Sequence, residues 1–267
     1  MAALRAACVA ALAAAVLPGL RMLSFIWDTS EYLGYGYLVP ASSVALCFAT
    51  RAQIRAALRQ AEVPAWGAAW VLAAAAIESL GVLGDVATLA GVGVPLMFAA
   101  TAYALGGEPL LRALRLPIAF LVFMVPPPDF LLDGALLALK SLVIQAAVAL
   151  LQLGGAAVAA QGNRLFVPKH ELFVANACSG LRSIVTLLPL AVVVATFAAR
   201  GAWRRALILI SVVPFAVLGN IARVITTVLL VSHWGDAYAQ GTLHDGFGFA
   251  TFGLGAVALV ALARTVR

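Results

Sequence analysis

The sequence predicts an all-α membrane protein: a polytopic bundle of about eight transmembrane helices. One extra amphipathic or re-entrant helix and a short outer-face β-hairpin complete the expected architecture. Three observations carry this reading. The 267 residues are 64% hydrophobic, with only 17 Lys and Arg and 11 Asp and Glu, and mean hydropathy is +1.06. Soluble domains are about 45–50% apolar and about 25% charged. Apolar runs of about 20 residues, the length that crosses a bilayer, recur along the whole chain. The basic residues fall in clusters between those runs, as the positive-inside rule expects of cytoplasmic loops. The net charge of +6 is therefore no sign of nucleic-acid binding.

Taken in order, the expected spans lie near 4–23, 34–50, 64–84, 86–106, 116–128, 178–199, 206–232 and 246–264. The N-terminal run has Arg5 ahead of an apolar core, as a signal peptide would. More spans follow it, so it reads as an uncleaved first helix. Basic groups stand at Arg5, Arg51/Arg55/Arg59, Arg112/Arg115, Arg200/Arg204/Arg205 and Arg264/Arg267. Crossing at every candidate except 134–160 puts all five groups on one side, and nine crossings do not. Within 134–160, and just before it, Asp133, Lys140, Ser141, Gln145 and Gln152 fall within about 140° of one helical face. That segment therefore reads as the amphipathic or re-entrant helix, the alternative being a ninth span that carries one polar stripe.

With this parity, 24–33, 126–133, 161–177 and 233–245 lie outside. In "GNRLFVPKHELFV" (162–174), β-branched and aromatic residues flank a Pro-Lys-His turn, which reads as the hairpin. The glycines of "GFGFATFGLG" (246–255) suggest close helix packing. There is no internal repeat and no linker, so residues 1–267 are expected to form a single transmembrane domain. The chain stops just after the last span, and no appended soluble domain is expected.

The chemistry concentrates in a few polar residues. Cys8, Cys47 and Cys178 show neither CxxC spacing nor even pairing, so no disulfide framework, zinc knuckle or other metal site is expected. Cys8 and Cys47 sit among apolar residues, and Cys178 alone has polar company, in "NACSG". A helix starting near Ser179, with Arg182 in its first turn, favours the thiolate. Arg223 lies inside an apolar run, about 14 Å below the outer end, where an ionisable residue is costly and usually functional. Asn220, three residues earlier, shares its face. His170 and His233 read as ordinary outer-loop histidines. His244, beside Asp245, stands at the mouth of the last span, on the membrane face that holds Cys178. A cysteine, a histidine and an intramembrane arginine are the equipment of nucleophilic acyl transfer.

Three blocks, "VANACSGLRSI", "VPFAVLGNIARV" and "LHDGFG", resemble in order the motifs of the exosortase/archaeosortase family. "WDTSEYLGYGYLVP" (27–40) and the Pro-rich "LPIAFLVFMVPPPDFLLD" (116–133) are similar to further family signatures, so the likeness runs from about Trp27 to Gly253. The family commonly has His-Gly where this chain has Tyr35-Gly36. The resemblance implies a membrane cysteine transpeptidase acting on exported proteins with a C-terminal tripartite signal: a Pro-Glu-Pro-type (PEP-CTERM) motif, an apolar span and a basic tail. It implies Cys178 as nucleophile, Arg223 as the oxyanion cation and His244 as general acid/base, with no cofactor. It also implies the inner membrane of an exopolysaccharide-producing Gram-negative bacterium, with the site facing the periplasm. Arg182, Asn220 and Ser179 are the expected substrate-binding residues. An acidic residue of the sorting motif would pair with Arg182, Arg164 or Lys169. The expected partners are thus sorting-signal proteins and the lipid bilayer.

Two other classes remain open from the residues alone. A non-catalytic component of exopolysaccharide export or assembly would use Cys178 for packing and Arg223 as a structural ion-pair member. A membrane acyltransferase using His244 with Asp245 would make Cys178 dispensable.

Overall fold

A computed structural model describes the backbone of residues 2–30, 32–168, 170–174, 180–235 and 242–266; the side chains of 2–11, 13, 129 and 242–245 are outside it. The fold is helical, as the apolar runs predict, with one small sheet. Nine helices follow in order among the described residues: α1 (Ala2–Thr29), α2 (Leu38–Ala49), α3 (Arg51–Arg59), α4 (Gly67–Leu83), α5 (Ala87–Phe120), α6 (Asp129–Leu153), α7 (Leu181–Ala198), α8 (Ala202–Trp234) and α9 (Thr242–Thr265). Strands β1 (Ala159–Gln161), β2 (Arg164–Val167) and β3 (His170–Phe173) form an antiparallel sheet in sequence order. Among the described residues, five segments are long and apolar enough to cross a membrane: Ala87–Met124, Phe130–Leu153, Leu181–Ala198, Ala202–Trp234 and Gly246–Thr265. Gly34–Ala49 and Gly67–Leu83 are shorter apolar helices.

The chain divides into two compact units, Met1–Pro128 and Asp129–Arg267. In the first, glycines set the packing of α4 against α5. A Cβ on Gly67 would come within 2.8 Å of Ala104, one on Gly93 within 2.5 Å of Glu78, and one on Gly81 would overlap the backbone of Ala90. Such close approach is how helices associate where lipid removes the hydrophobic drive. The expected spans 86–106 and 116–128 join in α5, which breaks at Gly107 (φ 62°, ψ −158°).

The Pro-rich end of this unit is held by one side chain from the end of α1 and one from the segment leading into α2. Pro127 and Pro128 have no N–H, so the carbonyls of Phe123 and Met124 lack their i+4 donors. Tyr35 Oη donates to Phe123 O at 3.0 Å and Trp27 Nε1 to Met124 O at 3.1 Å. Two of the stretches that carried the family likeness are thus physically joined.

In the second unit, α6 and the sheet pack on the later half of α8. Val143, Ile144, Ala147 and Leu151 of α6 meet Leu165, Val167, Leu172 and Val174 of the sheet region and Val224, Val228 and Val231 of α8. The hairpin is as expected, with Val167 paired to His170, and β1 is an added strand. The polar stripe read in 134–160 does not form one wet face. Asp133, Ser141 and Gln145 are exposed, while Lys140 is 1% exposed with its Nζ 5.2 Å from the Phe173 ring. The segment is a regular helix to Leu153, long enough to span, before the chain turns into β1. Two histidines sit otherwise than expected: His233 is in the last turn of α8, its Nδ1 2.8 Å from Leu229 O, and His170 opens β3.

Candidate functional site

Three helices of the second unit build the site. Helices α7 and α8 form an antiparallel pair through the Arg200-Gly201 turn, packed by Leu187, Ala191 and Ala195 against Ile208, Val212 and Ala216, with Leu259 of α9 in the same core. The start of α7 is set by Gly180, whose φ of +86° is a left-handed conformation that suits glycine. Its carbonyl accepts the N–H of Ile184 at 3.0 Å, closing the first turn. The Gly180 backbone lies against Asn220 and Ala216 of α8; a Cβ there would stand 3.6 Å from Asn220 Cβ and 3.8 Å from Ala216 O.

Asn220 is 3% exposed, and Arg223 follows it one turn along the same face. The guanidinium of Arg223 crosses to α9. A Cβ on Gly248 would meet its Cζ, Nη1 and Nη2 all at 3.2 Å. Three nearly equal distances mean that the flat face of the guanidinium covers this glycine. Farther along, Gly219 stands opposite Thr251, whose Cβ and O lie 3.6 Å from a Cβ built there. Gly219 opposite Thr251 and Arg223 opposite Gly248 make α8 and α9 antiparallel. The backbone of His244 continues this face of α9 one turn beyond Gly248.

The structure thus brings Asn220, Arg223, the turn into α7 and the first turns of α9 to one level of one bundle. Cys178, Ser179 and Lys169 lie outside the described residues, as does the His244 side chain. Arg182 is the second residue of α7 and is exposed. Arg164 is already engaged, its Nη1 donating to Glu171 Oε1 at 2.7 Å on the exposed face of the hairpin. At this level the N-terminus of α7 contributes the partial positive charge of its first-turn amides. With Arg223 it forms an environment suited to developing negative charge.

Two features escaped the sequence reading. Gly248 was visible only as one glycine of a packing run, and its role depends on an arginine 25 residues earlier. Lys140 was counted in a polar stripe, whereas it is buried under Phe173, five residues before Cys178. A buried lysine in an apolar helix was itself the available signal.

No curated protein and no solved structure matches the chain. The model of one family, described as transmembrane exosortase (Exosortase_EpsH), matches residues 27–261. That match takes in α7, α8 and most of α9 and nearly the whole sequence, and the helices themselves are those of a multi-pass membrane protein. The chain belongs to the transmembrane exosortase family.

Proposed function

We propose that this protein is a membrane cysteine transpeptidase that cleaves C-terminal PEP-CTERM-type sorting signals of exported proteins. The observation that carries the proposal is the Arg223 guanidinium laid over Gly248, one turn from His244, on the helix face whose Asn220 abuts Gly180. Cys178 is two residues before Gly180 in the sequence. Family membership and this convergence support the same three residues.

In the proposed mechanism the Cys178 thiolate attacks the scissile carbonyl and forms a C–S bond. The tetrahedral oxyanion develops beside Arg223, whose charge is fixed before the reaction and needs no reorganisation. His244, as imidazolium, gives its proton to the leaving amine as the C–N bond breaks. The resulting thioester is attacked by water or an acceptor nucleophile, whose proton returns to His244. Asn220 orients Arg223, Ser179 lines the approach to the thiol, and Arg182 meets the acidic residue of the sorting motif. The enzyme works as a single domain in the bacterial inner membrane, with this site at the periplasmic face.

The test is trapping of the acyl-enzyme. Purified protein mixed with a peptide bearing the signal, then acid-quenched, gains the mass of the acyl fragment on Cys178, and hydroxylamine releases it. Cys178→Ala gains no mass. Turnover without any adduct on Cys178, and retained in Cys178→Ala, would overturn the nucleophile and favour an acyltransferase using His244.

A further inference from the structure

Helix α3 is nine residues long, and its sequence "RAQIRAALR" repeats arginine every fourth position. At 100° per residue, Arg51, Arg55 and Arg59 fall within about 80° of one another. The opposite side packs inward: Ala57 is buried with Ala102 and Leu110 of α5, and Ile54 joins Ala113, Leu114 and Ile118 around them. The three arginines are exposed. None of them pairs with a carboxylate among the described residues.

The surroundings reinforce the charge. Arg112 and Arg115 lie on the part of α5 against which α3 packs. Arg112 is bridged to Glu108 at 2.7 Å, and Glu62 is the other carboxylate nearby in sequence. Five guanidiniums thus stand against two carboxylates. Beside them, apolar side chains are left uncovered: Leu58 at 51%, Val63 at 80%, Trp66 at 74% and Trp70 at 60% exposed. Trp66 and Trp70 are one turn apart at the start of α4. Exposed tryptophans of this kind sit at the headgroup level of a bilayer. Cations above uncovered apolar residues are the pattern of a helix held in the interface.

We propose that α3 is an anionic-phospholipid site, in which Arg51, Arg55 and Arg59 bind lipid phosphate while Leu58, Val63, Trp66 and Trp70 rest on the acyl chains. The site lies in the first unit and does not depend on the proposed chemistry. Full-length protein in a neutral detergent is titrated with dioleoylphosphatidylglycerol or dioleoylphosphatidylcholine, and bound lipid is measured by native mass spectrometry. The wild type retains phosphatidylglycerol in preference to phosphatidylcholine. A triple Arg51→Gln, Arg55→Gln, Arg59→Gln variant binds it on the order of 100-fold more weakly, the summed worth of three arginines at an anionic surface. The triple lysine variant stays within about threefold of wild type, since charge rather than fork geometry carries the attraction. Equal binding by wild type and the glutamine variant overturns the site, as does equal retention of the two lipids. Should the glutamine variant fail to fold, wild-type binding unchanged between about 0.05 and about 0.5 M salt overturns it as well.

Discussion

The contact between Arg223 and Gly248 permits a prediction that separates catalysis from folding. Gly248→Ala places a Cβ 3.2 Å from Cζ, Nη1 and Nη2 together. Carbon contacts are comfortable at about 3.5–4.0 Å, so the guanidinium must withdraw by about 0.3–0.8 Å. Catalytic groups need placement within about 0.5 Å, and a misplacement of about 1 Å costs on the order of 100-fold. The expected loss in processing rate is therefore about tenfold, or about 1.4 kcal/mol of transition-state stabilisation. Gly248→Val, with two further carbons at the same place, loses more. Helix stability moves the other way, because alanine in a helix interior is favoured over glycine by about 0.5–1 kcal/mol. The assay is the initial rate of sorting-signal cleavage, with thermal unfolding in the same detergent measured in parallel. A slower enzyme whose melting temperature is unchanged or raised is the expected result. Gly248→Ala cleaving at the wild-type rate would refute Arg223 as the oxyanion cation in this position.

Other positions give sharper tests of the fold. Glu78 is 2% exposed and accepts the N–H of Gly19 at 3.0 Å, so Glu78→Ala should cost about 2–4 kcal/mol from the lost acceptor and the cavity. Glu78→Gln keeps the acceptor and should melt above Glu78→Ala; the reverse order in thermal unfolding would contradict the assignment. Trp27→Phe removes the donor that Pro128 denies to Met124 O, for an expected loss of about 1–3 kcal/mol, readable by the same melts. Gly180→Ala meets no atom closer than 3.6 Å, yet should lose about 1–2 kcal/mol because φ is +86°. Gly180→Asn should recover part of that loss, since asparagine tolerates this conformation, and equal melts for the two would place the constraint elsewhere.

Much of this fold was legible because the bilayer sets element lengths. The apolar runs at 64–84, 206–232 and 246–264 each hold one helix, those at 34–50 and 178–199 hold α2 and α7, and even the break inside α5 fell between two expected spans. The hairpin was legible from its turn and its alternating residues. What escaped was contact between distant residues. Glu78 is a single charge in a 17-residue apolar helix, and its meaning depends on Gly19 and Gly93, which make room for its side chain. The glycines of "GFGFATFGLG" looked alike in sequence but differ in space: Gly248 seats Arg223 and Gly255 meets Leu187, while Gly246 and Gly253 have open space around them. Lys140 shows the limit of periodicity, which groups residues by angle and cannot tell that one of a polar stripe faces the hairpin. The proposed site, Cys178, Arg223 and His244, stood out in the sequence because polar residues are scarce in so apolar a chain. The structure adds the antiparallel pairing that brings the Arg223 and His244 turns to one level, with the turn that follows Cys178 beside them.

The most direct measurement co-expresses a tagged exported protein carrying a PEP-CTERM-type C-terminal signal with this protein or with Cys178→Ala, and follows the tag by immunoblot. Cleavage by the wild type, lost in Cys178→Ala at equal membrane abundance, is the expected result, and mass spectrometry of the new C-terminus then identifies the acceptor. A size shift that persists in Cys178→Ala would contradict the nucleophile. No shift with the wild type, using sorting substrates from its own genome, would point instead to a non-catalytic role in polysaccharide export.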